Sequence, residues 1–278
     1  TISHMFSQLD STIPYSAWAK LGQDIDGEAA GDESGHSVSL SADGQIVAIG
    51  SAYNDGTTGT AEDNRGHVRI YQYDATKHSA QTNPALANFG PVGWNRLGSD
   101  IDGQTSDDLS GWSVSLSANG QTVAIGATHN DVPGTNSGNV RIYSYNGTDW
   151  SQLGSNIEGE ADGDWSGFST SLSADGLTVA IGSRYNDSGN ISTDNRGHTR
   201  IFSYNGSEWI QLGEDIDGEA ISDESGYSVS LSADGRIVAI GAIANDGTSG
   251  TSSDNRGHVR IYQYDATKNS AQPYQTLA

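Results

Sequence analysis

The sequence predicts an all-β fold, a β-propeller of four-stranded antiparallel blades, four blades in all, and three observations carry that prediction. The segment from Ser34 to Gly50, SGHSVSLSADGQIVAIG, returns with few changes at 110–126, 166–182 and 225–241, so the chain is a tandem array. Each copy reads as a hairpin: Val38 and Leu40 alternate with Ser37, Ser39 and Ser41, Asp43-Gly44 closes a tight turn, and Val47-Ala-Ile-Gly50 returns as a second strand. The composition agrees, because 36 glycines and only 5 prolines in 278 residues suit many tight turns better than a collagen or a linker.

Taken in order, residues 1–17 read as a leader, with Ser3-His4-Met5 as a cloning scar. Residues 18–278 read as four repeats, at 18–93, 94–149, 150–208 and 209–278. Each repeat opens on a short strand-like segment, Trp18-Ala-Lys-Leu-Gly22 and its copies at Trp94, Trp150 and Trp209. From each Trp to the Gly of the following Ser-Gly pair is 17 residues in every repeat, and from that Gly to the one ending Ala-Ile-Gly is 15, so these segments belong to the scaffold. The stretch that follows varies between 15 and 19 residues before it reaches Arg69, Arg141, Arg200 or Arg260, which is how a loop behaves. A third strand comes next, HVRIYQY at 67–73 with relatives at 139–145, 198–204 and 258–264. It places Val68 and Ile70 on one face and Arg69, Tyr71 and Tyr73 on the other. A turn such as Asn146-Gly147 then leads to the next Trp segment. The first repeat instead carries an insert, Asp74 to Gly93, which reads as a surface loop.

Units of four short strands cannot bury both of their faces alone and must stack on neighbours, which is the propeller arrangement. The chain holds four copies of the first three strands but five Trp-type segments when Tyr274-Gln-Thr-Leu277 is counted. One terminal copy should therefore complete the last blade. The expectation is a closed ring in which the strand around Trp18 pairs with the strand from His258 to Tyr264, leaving no exposed edge.

The net charge of −22, from 35 acidic and 13 basic residues, argues against nucleic acid and anionic membranes and favours cations or cationic partners. There is no cysteine, hence no disulfide and no thiolate chemistry, and no run of 18 apolar residues. In an antiparallel blade, the loops between strands two and three and those leading to the next blade emerge on one face. Those two loop classes hold 27 of the 35 acids and only four bases, Arg65, Arg184, Arg196 and Arg256. One acidic face is expected to carry the function.

The repeating pattern of Gly-x-Ser-Val, a DG turn, VAIGA or VAIGS and G-x-V-x-I-Y, over about residues 18–264, resembles the FG-GAP repeats of integrin α-subunit propellers and their bacterial relatives. The chain differs in having Ser34, Ser110, Ser166 and Ser225 where that family has Phe, and in lacking the Pro after Gly-Ala. The family's calcium loop between the first two strands is reduced here to SADG, so its site does not transfer to Asp43, Asp175 or Asp234. The resemblance implies a propeller that binds partners at a cell surface.

Two sets of residues on the acidic face are candidate sites. The first is the inter-blade loop Asp24, Asp26, Glu28 and Asp32, hard oxygen donors around a Gly turn of the kind calcium takes. It repeats as Asp100, Asp102, Gln104 and Asp108, as Asn156, Glu158, Glu160 and Asp164, and as Asp215, Asp217, Glu219 and Asp223. The competing reading is that Asp32 and its copies cap turns. The second set is Asp63-Asn64-Arg65, with Asp194-Asn195-Arg196 and Asp254-Asn255-Arg256, a polar-ligand or sugar site if it is not a turn in which the Arg neutralises its own Asp. His67, His198 and His258 begin third strands on different blades, with Asn139 in the remaining one, and read as edge packing. The strand arginines are expected to tie blades to a carboxylate. Asn146, Asn186, Asn190 and Asn205 stand in glycosylation sequons.

No nucleophile with a partnered base, HExxH or phosphate loop appears, so the chain reads as no enzyme. The expected function is a non-catalytic extracellular or cell-surface binding and adhesion module, with calcium as its cofactor. The alternatives are a carbohydrate-binding lectin with one site per blade and a structural repeat unit of a large surface protein. Its partner would be a protein or carbohydrate at the acidic face.

Overall fold

The computed structural model describes residues 18–56, 63–86, 88–187, 194–247 and 254–267. They build four antiparallel sheets, the blades of a propeller. Blade one holds β1 (Ser37–Leu40), β2 (Ile46–Ser51), β3 (His67–Tyr73), β4 (Trp94–Arg96) and β5 (Ile101–Asp102). Blade two holds β6 (Ser110–Leu116), β7 (Thr122–Ala127), β8 (Asn139–Tyr145), β9 (Trp150–Gln152) and β10 (Ile157–Glu158). Blade three repeats this as β11 (Ser166–Leu172), β12 (Thr178–Ser183), β13 (His198–Tyr204), β14 (Trp209–Gln211) and β15 (Ile216–Asp217). The fourth has β16 (Ser225–Leu231), β17 (Ile237–Ala242) and β18 (His258–Gln263). The first three strands meander as expected. The fourth is broken in two: β4 pairs the far end of β3, through Tyr71 opposite Arg96, and β5 its near end, through His67 opposite Asp102.

Blades pack through the apolar residues that alternate along their strands. Ile46, Ala48, Val68 and Ile70 of blade one meet Val114, Leu116, Val123 and Ile125 of blade two, and the same positions meet at the next two junctions. The serines of the inner strands stitch these junctions. Ser37, Ser113 and Ser169 donate through Oγ to the carbonyls of Gly111, Gly167 and Gly226 at 2.7–2.8 Å. Ser39, Ser115 and Ser171 accept from the amides of Leu116, Leu172 and Leu231 at 2.9 Å. The second-strand glycines make this approach possible, since a Cβ on Gly50, Gly126 or Gly182 would lie 2.0–2.2 Å from the same glycine carbonyl of the next blade.

The tryptophans bind the outer rim. Trp94, Trp150 and Trp209 donate their indole N–H to the carbonyls of Leu21, Leu97 and Leu153, each in the preceding Trp segment. This corrects the expected ring closure. The Trp18 segment lies against Trp94, as the Trp94 segment lies against Trp150, and not against β18. Trp18 is 90% exposed, and among the described strands β18 pairs with β17 alone. A Trp strand pairs with the third strand that precedes it in the chain, and none precedes Trp18. The faces that would meet on closure are open. Val38 and Leu40 are 65% and 60% exposed where their counterparts Val114 and Leu116 are buried. Val259 and Ile261 are each 66% exposed where Val68 and Ile70 are fully covered. The Tyr274 segment lies outside the described residues.

The insert is also more than a surface loop. Lys77, buried, donates its ammonium to the carbonyls of Asn88 and Trp94, and Gln81 pairs with Gly90 across a short antiparallel bridge. The ammonium, by donating to carbonyls of the insert and of β4, ties the insert to the end of its blade.

Gly126→Ala should lower stability by about 3 kcal/mol, because its Cβ must displace backbone of the next blade. Gly241→Ala, whose Cβ meets only Ser228 of its own blade, should cost much less. Thermal and urea unfolding of the two variants, compared side by side, checks this.

Candidate functional site

The two acidic loop classes do converge on one face, and a buried lock joins them at every blade. Asp32 Oδ2 accepts from the amides of Glu28 and Ala29 and from Asn54 Nδ2 at 3.0 Å. Asp164 does the same with Glu160, Ala161 and Asn186, and Asp223 with Glu219, Ala220 and Asn245, while Asp108 takes the amides of Gln104 and Thr105 on Oδ2 and Asn130 Nδ2 on Oδ1. All four carboxylates are buried. Each is thus spent on turning its own loop and holding the β2–β3 type loop beside it, the capping role weighed above. Asn54 and its copies stand four residues beyond each Ala-Ile-Gly, so a fixed-offset search would have found them. Asn186, one of the sequons, is buried in this lock, and Asn190 lies outside the described residues.

The other candidate calcium donors go to different places. The carbonyls, not the carboxylates, of Asp26, Asp102, Glu158 and Asp217 accept from the strand arginines 69, 141, 200 and 260. That revises the expected tie, which runs mainly to backbone oxygen. Asp24 pairs with Lys20, Asp100 with Arg96 at 2.8 Å, and Asp215 accepts from Gln211 at 2.7 Å. The fifth position reaches inward. Glu28 approaches His67 at 3.9 Å, Glu160 approaches His198 at 3.8 Å, and Glu219 approaches His258 at 3.6 Å.

The fold therefore gathers residues the sequence separates. Glu28 from the incoming loop, His67 from β3 and Asp100 from the outgoing loop bring one donor atom each within 4.8 Å of one another, and Glu160, His198 and Asp215 repeat the trio. His67 and His198 are 1% exposed, not edge residues. Burial, together with the neighbouring Arg69 or Arg200 charge, pushes them down to about 4 and about 3, so both rings are neutral at pH 7. Burial also raises Glu28 and Glu160.

The Asp-Asn-Arg turns close on themselves. Arg65, Arg196 and Arg256 each donate Nε to Asp63, Asp194 and Asp254, at 2.8, 2.8 and 2.6 Å. Asn64, Asn195 and Asn255 take left-handed backbone angles near +45°, which Asn tolerates, and their amides bond Asp55, Asp187 and Asp246.

A second arrangement on this face escaped the sequence reading. The residue after each Ser-Gly pair, His36, Trp112, Phe168 and Tyr227, forms a ladder with ring centroids 4.6, 5.7 and 5.1 Å apart from blade to blade. Trp165, His129 and Tyr185 from the acidic loops widen it. Arg184 sits within it, its guanidinium 4.2–5.0 Å from the rings of Tyr185, Phe168 and Tyr227 and 3.0 Å from Glu224. The signal was a ring at one fixed offset in all four repeats, hidden because its identity changes each time.

No protein-family profile matches the chain, and no curated protein matches it. Among solved structures, a candidate 6-phosphogluconolactonase from Bacteroides uniformis is similar at 13% identity and a TM-score of 0.45, covering 83% of this chain and 50% of its own. Hydrazine synthase of Kuenenia stuttgartiensis is similar at 12% identity and a TM-score of 0.45, covering 90% and 49%. The chain spans about half the length of these structures.

Asp164→Ala leaves two amides and the Asn186 side chain without their acceptor and should cost about 3 kcal/mol. Asn186→Ala removes one donor from a carboxylate that keeps two amides, and should cost about 1–2 kcal/mol. Urea midpoints, read with the loop-face fluorescence of Trp165, check the order of the two.

Proposed function

We propose that this protein is a non-catalytic binding and adhesion module of the extracellular space or cell surface, working through the aromatic ladder at the acidic loop face. The observation that carries this reading is Arg184. Its guanidinium lies over three rings and beside a carboxylate, the arrangement by which such a surface takes a cation. In blades one and two the same position holds the small, buried Ala52 and Thr128 and supplies no guanidinium to the rings of His36, Trp112 and His129, which lie near Glu33, Asp107 and Asp131. A cationic, arginine- or lysine-bearing protein segment laid over these rings is the partner this reading names. The resemblance to integrin-type repeats supports the same class of function.

Exposed apolar faces at the two ends favour a second reading, a structural unit that stacks on a second copy of itself. The face of Val259 and Ile261 and that of Val38 and Leu40 are the two halves of a junction already made three times inside the chain. Concentration-dependent sedimentation that Val38→Asp with Val259→Asp abolishes is the expected result, and a monomer at all concentrations contradicts it.

A fluorescent nona-arginine peptide should bind the protein, more tightly as salt falls. Trp112→Ala should weaken binding several-fold, and Arg184→Ala, by vacating the third position, should strengthen it. Binding on a glycan array with none to the peptide would instead favour the lectin.

A further inference from the structure

We propose that Glu160, His198 and Asp215 form a site for a divalent transition-metal ion such as zinc, with Glu28, His67 and Asp100 as its weaker copy. His198 Nδ1 lies 3.8 Å from Glu160 Oε2 and 3.8 Å from Asp215 Oδ2. Donors on a tetrahedral ion with bonds of about 2.0–2.1 Å are roughly 3.4 Å apart, so the two edges from His198 close on a metal with shifts of a few tenths of an ångström, and the third donor pair lies within 4.8 Å.

The buried imidazole gives the independent reason to place a cation here. At 1% exposure, His198 aims Nδ1 at two carboxylates that are too far away for a hydrogen bond, and its Nε2 is buried without a partner. A lone pair facing two anions is unfavourable, and an N–H facing them at 3.8 Å gains little; an ion held between the three groups resolves both. His67 stands in the same condition.

In repeat two the three positions change together. Gln104, Asn139 and Asn156 occupy the Glu, His and Asp places, so every donor that could carry the ion is replaced at once by an amide. Asn156 Nδ2 donates to Gln104 Oε1 at 3.0 Å and joins the two loops directly, while the buried Asn139 amide bonds neither. Positions kept only for separate turns would have no reason to change in concert. In repeat four Glu219 and His258 persist, 3.6 Å apart.

The donor set selects the metal and ranks the sites. A buried imidazole nitrogen with two carboxylate oxygens suits zinc and its neighbours and is foreign to calcium, which takes oxygen alone. At the first site Arg69 approaches Glu28 at 3.6 Å and Arg96 pairs with Asp100 at 2.8 Å, so two cations oppose the ion. The second keeps Arg200 beside Glu160 at 3.5 Å, but neutral Gln211 replaces the other arginine. The His198 site is the tighter.

Calorimetric titration of the chelator-stripped protein with zinc chloride should show two sites of unequal affinity, and calcium chloride should not displace the ion. His198→Asn should remove the tighter site, His67→Asn the weaker, and Arg96→Gln should tighten the weaker by about tenfold. The combined change Gln104→Glu, Asn139→His and Asn156→Asp should add a third, a gain that misfolding cannot imitate; melting curves establish that each variant is folded. No zinc uptake by the wild type, or unchanged stoichiometry in the folded His67→Asn, His198→Asn double variant, overturns the proposal.

Discussion

The distance at which one blade can approach the next governs the rest of the molecule, and two glycines set it at each junction. Where Gly126 of β7 faces Gly167 at the start of β11, no side chain fits between backbones, and Ser113 bonds the carbonyl that a Cβ would strike. Only at that spacing do the apolar faces of β7 and β8 reach Leu172, Val179 and Ile181 of the next blade. Close packing of this kind tolerates little adjustment, so each loop leaves its blade at a fixed height and angle.

That fixed geometry explains why chemistry appears between loops and not within them. The loop Asp24 to Asp32 looks like a string of ligands along the chain, yet its members face four different ways: Asp24 to Lys20, Asp26 through its carbonyl to Arg69, Glu28 to His67, and Asp32 back into its own turn. A carboxylate buried with three donors is a structural fixture. Glu28 and Glu160, half-exposed and each facing a buried imidazole, are the members left with capacity for a ligand. The aromatic ladder follows the same rule, since each blade supplies one ring and only stacking makes a surface of them.

Much of the fold was legible because its signals are local and repeat. Ser-Val-Ser-Leu followed by a DG turn, with Thr170 for the Val in one copy and Asn119-Gly120 for the turn in another, specifies a hairpin wherever it occurs, and four such copies at nearly constant spacing specify stacking. Closure was not legible. It depends on whether two faces some 220 residues apart in sequence meet, and Val38 and Ile261 carry the same residue types whether they are covered or open. The break of the fourth strand into β4 and β5 was likewise invisible, because Trp94-Asn-Arg and Ile101-Asp satisfy strand patterns separately and only their common partner β3 unites them. For the site, sequence named Glu28, Asp100, Glu160 and Asp215 and noted the histidines, but assigned them to separate roles. Residues 39 and 33 positions apart, such as Glu28, His67 and Asp100, have no reason to be grouped until the sheet is built.

The central claim is that side chains brought together across neighbouring loops, and not a run of acids within one loop, make this face able to bind ions. Anomalous diffraction at the zinc edge from zinc-soaked crystals tests it most directly. The account predicts a strong peak between Glu160, His198 and Asp215, a weaker one between Glu28, His67 and Asp100, and none beside Asn139. Peaks centred instead on Asp24 and Asp26 or their copies, or an equal peak at the amide-lined repeat, would contradict it.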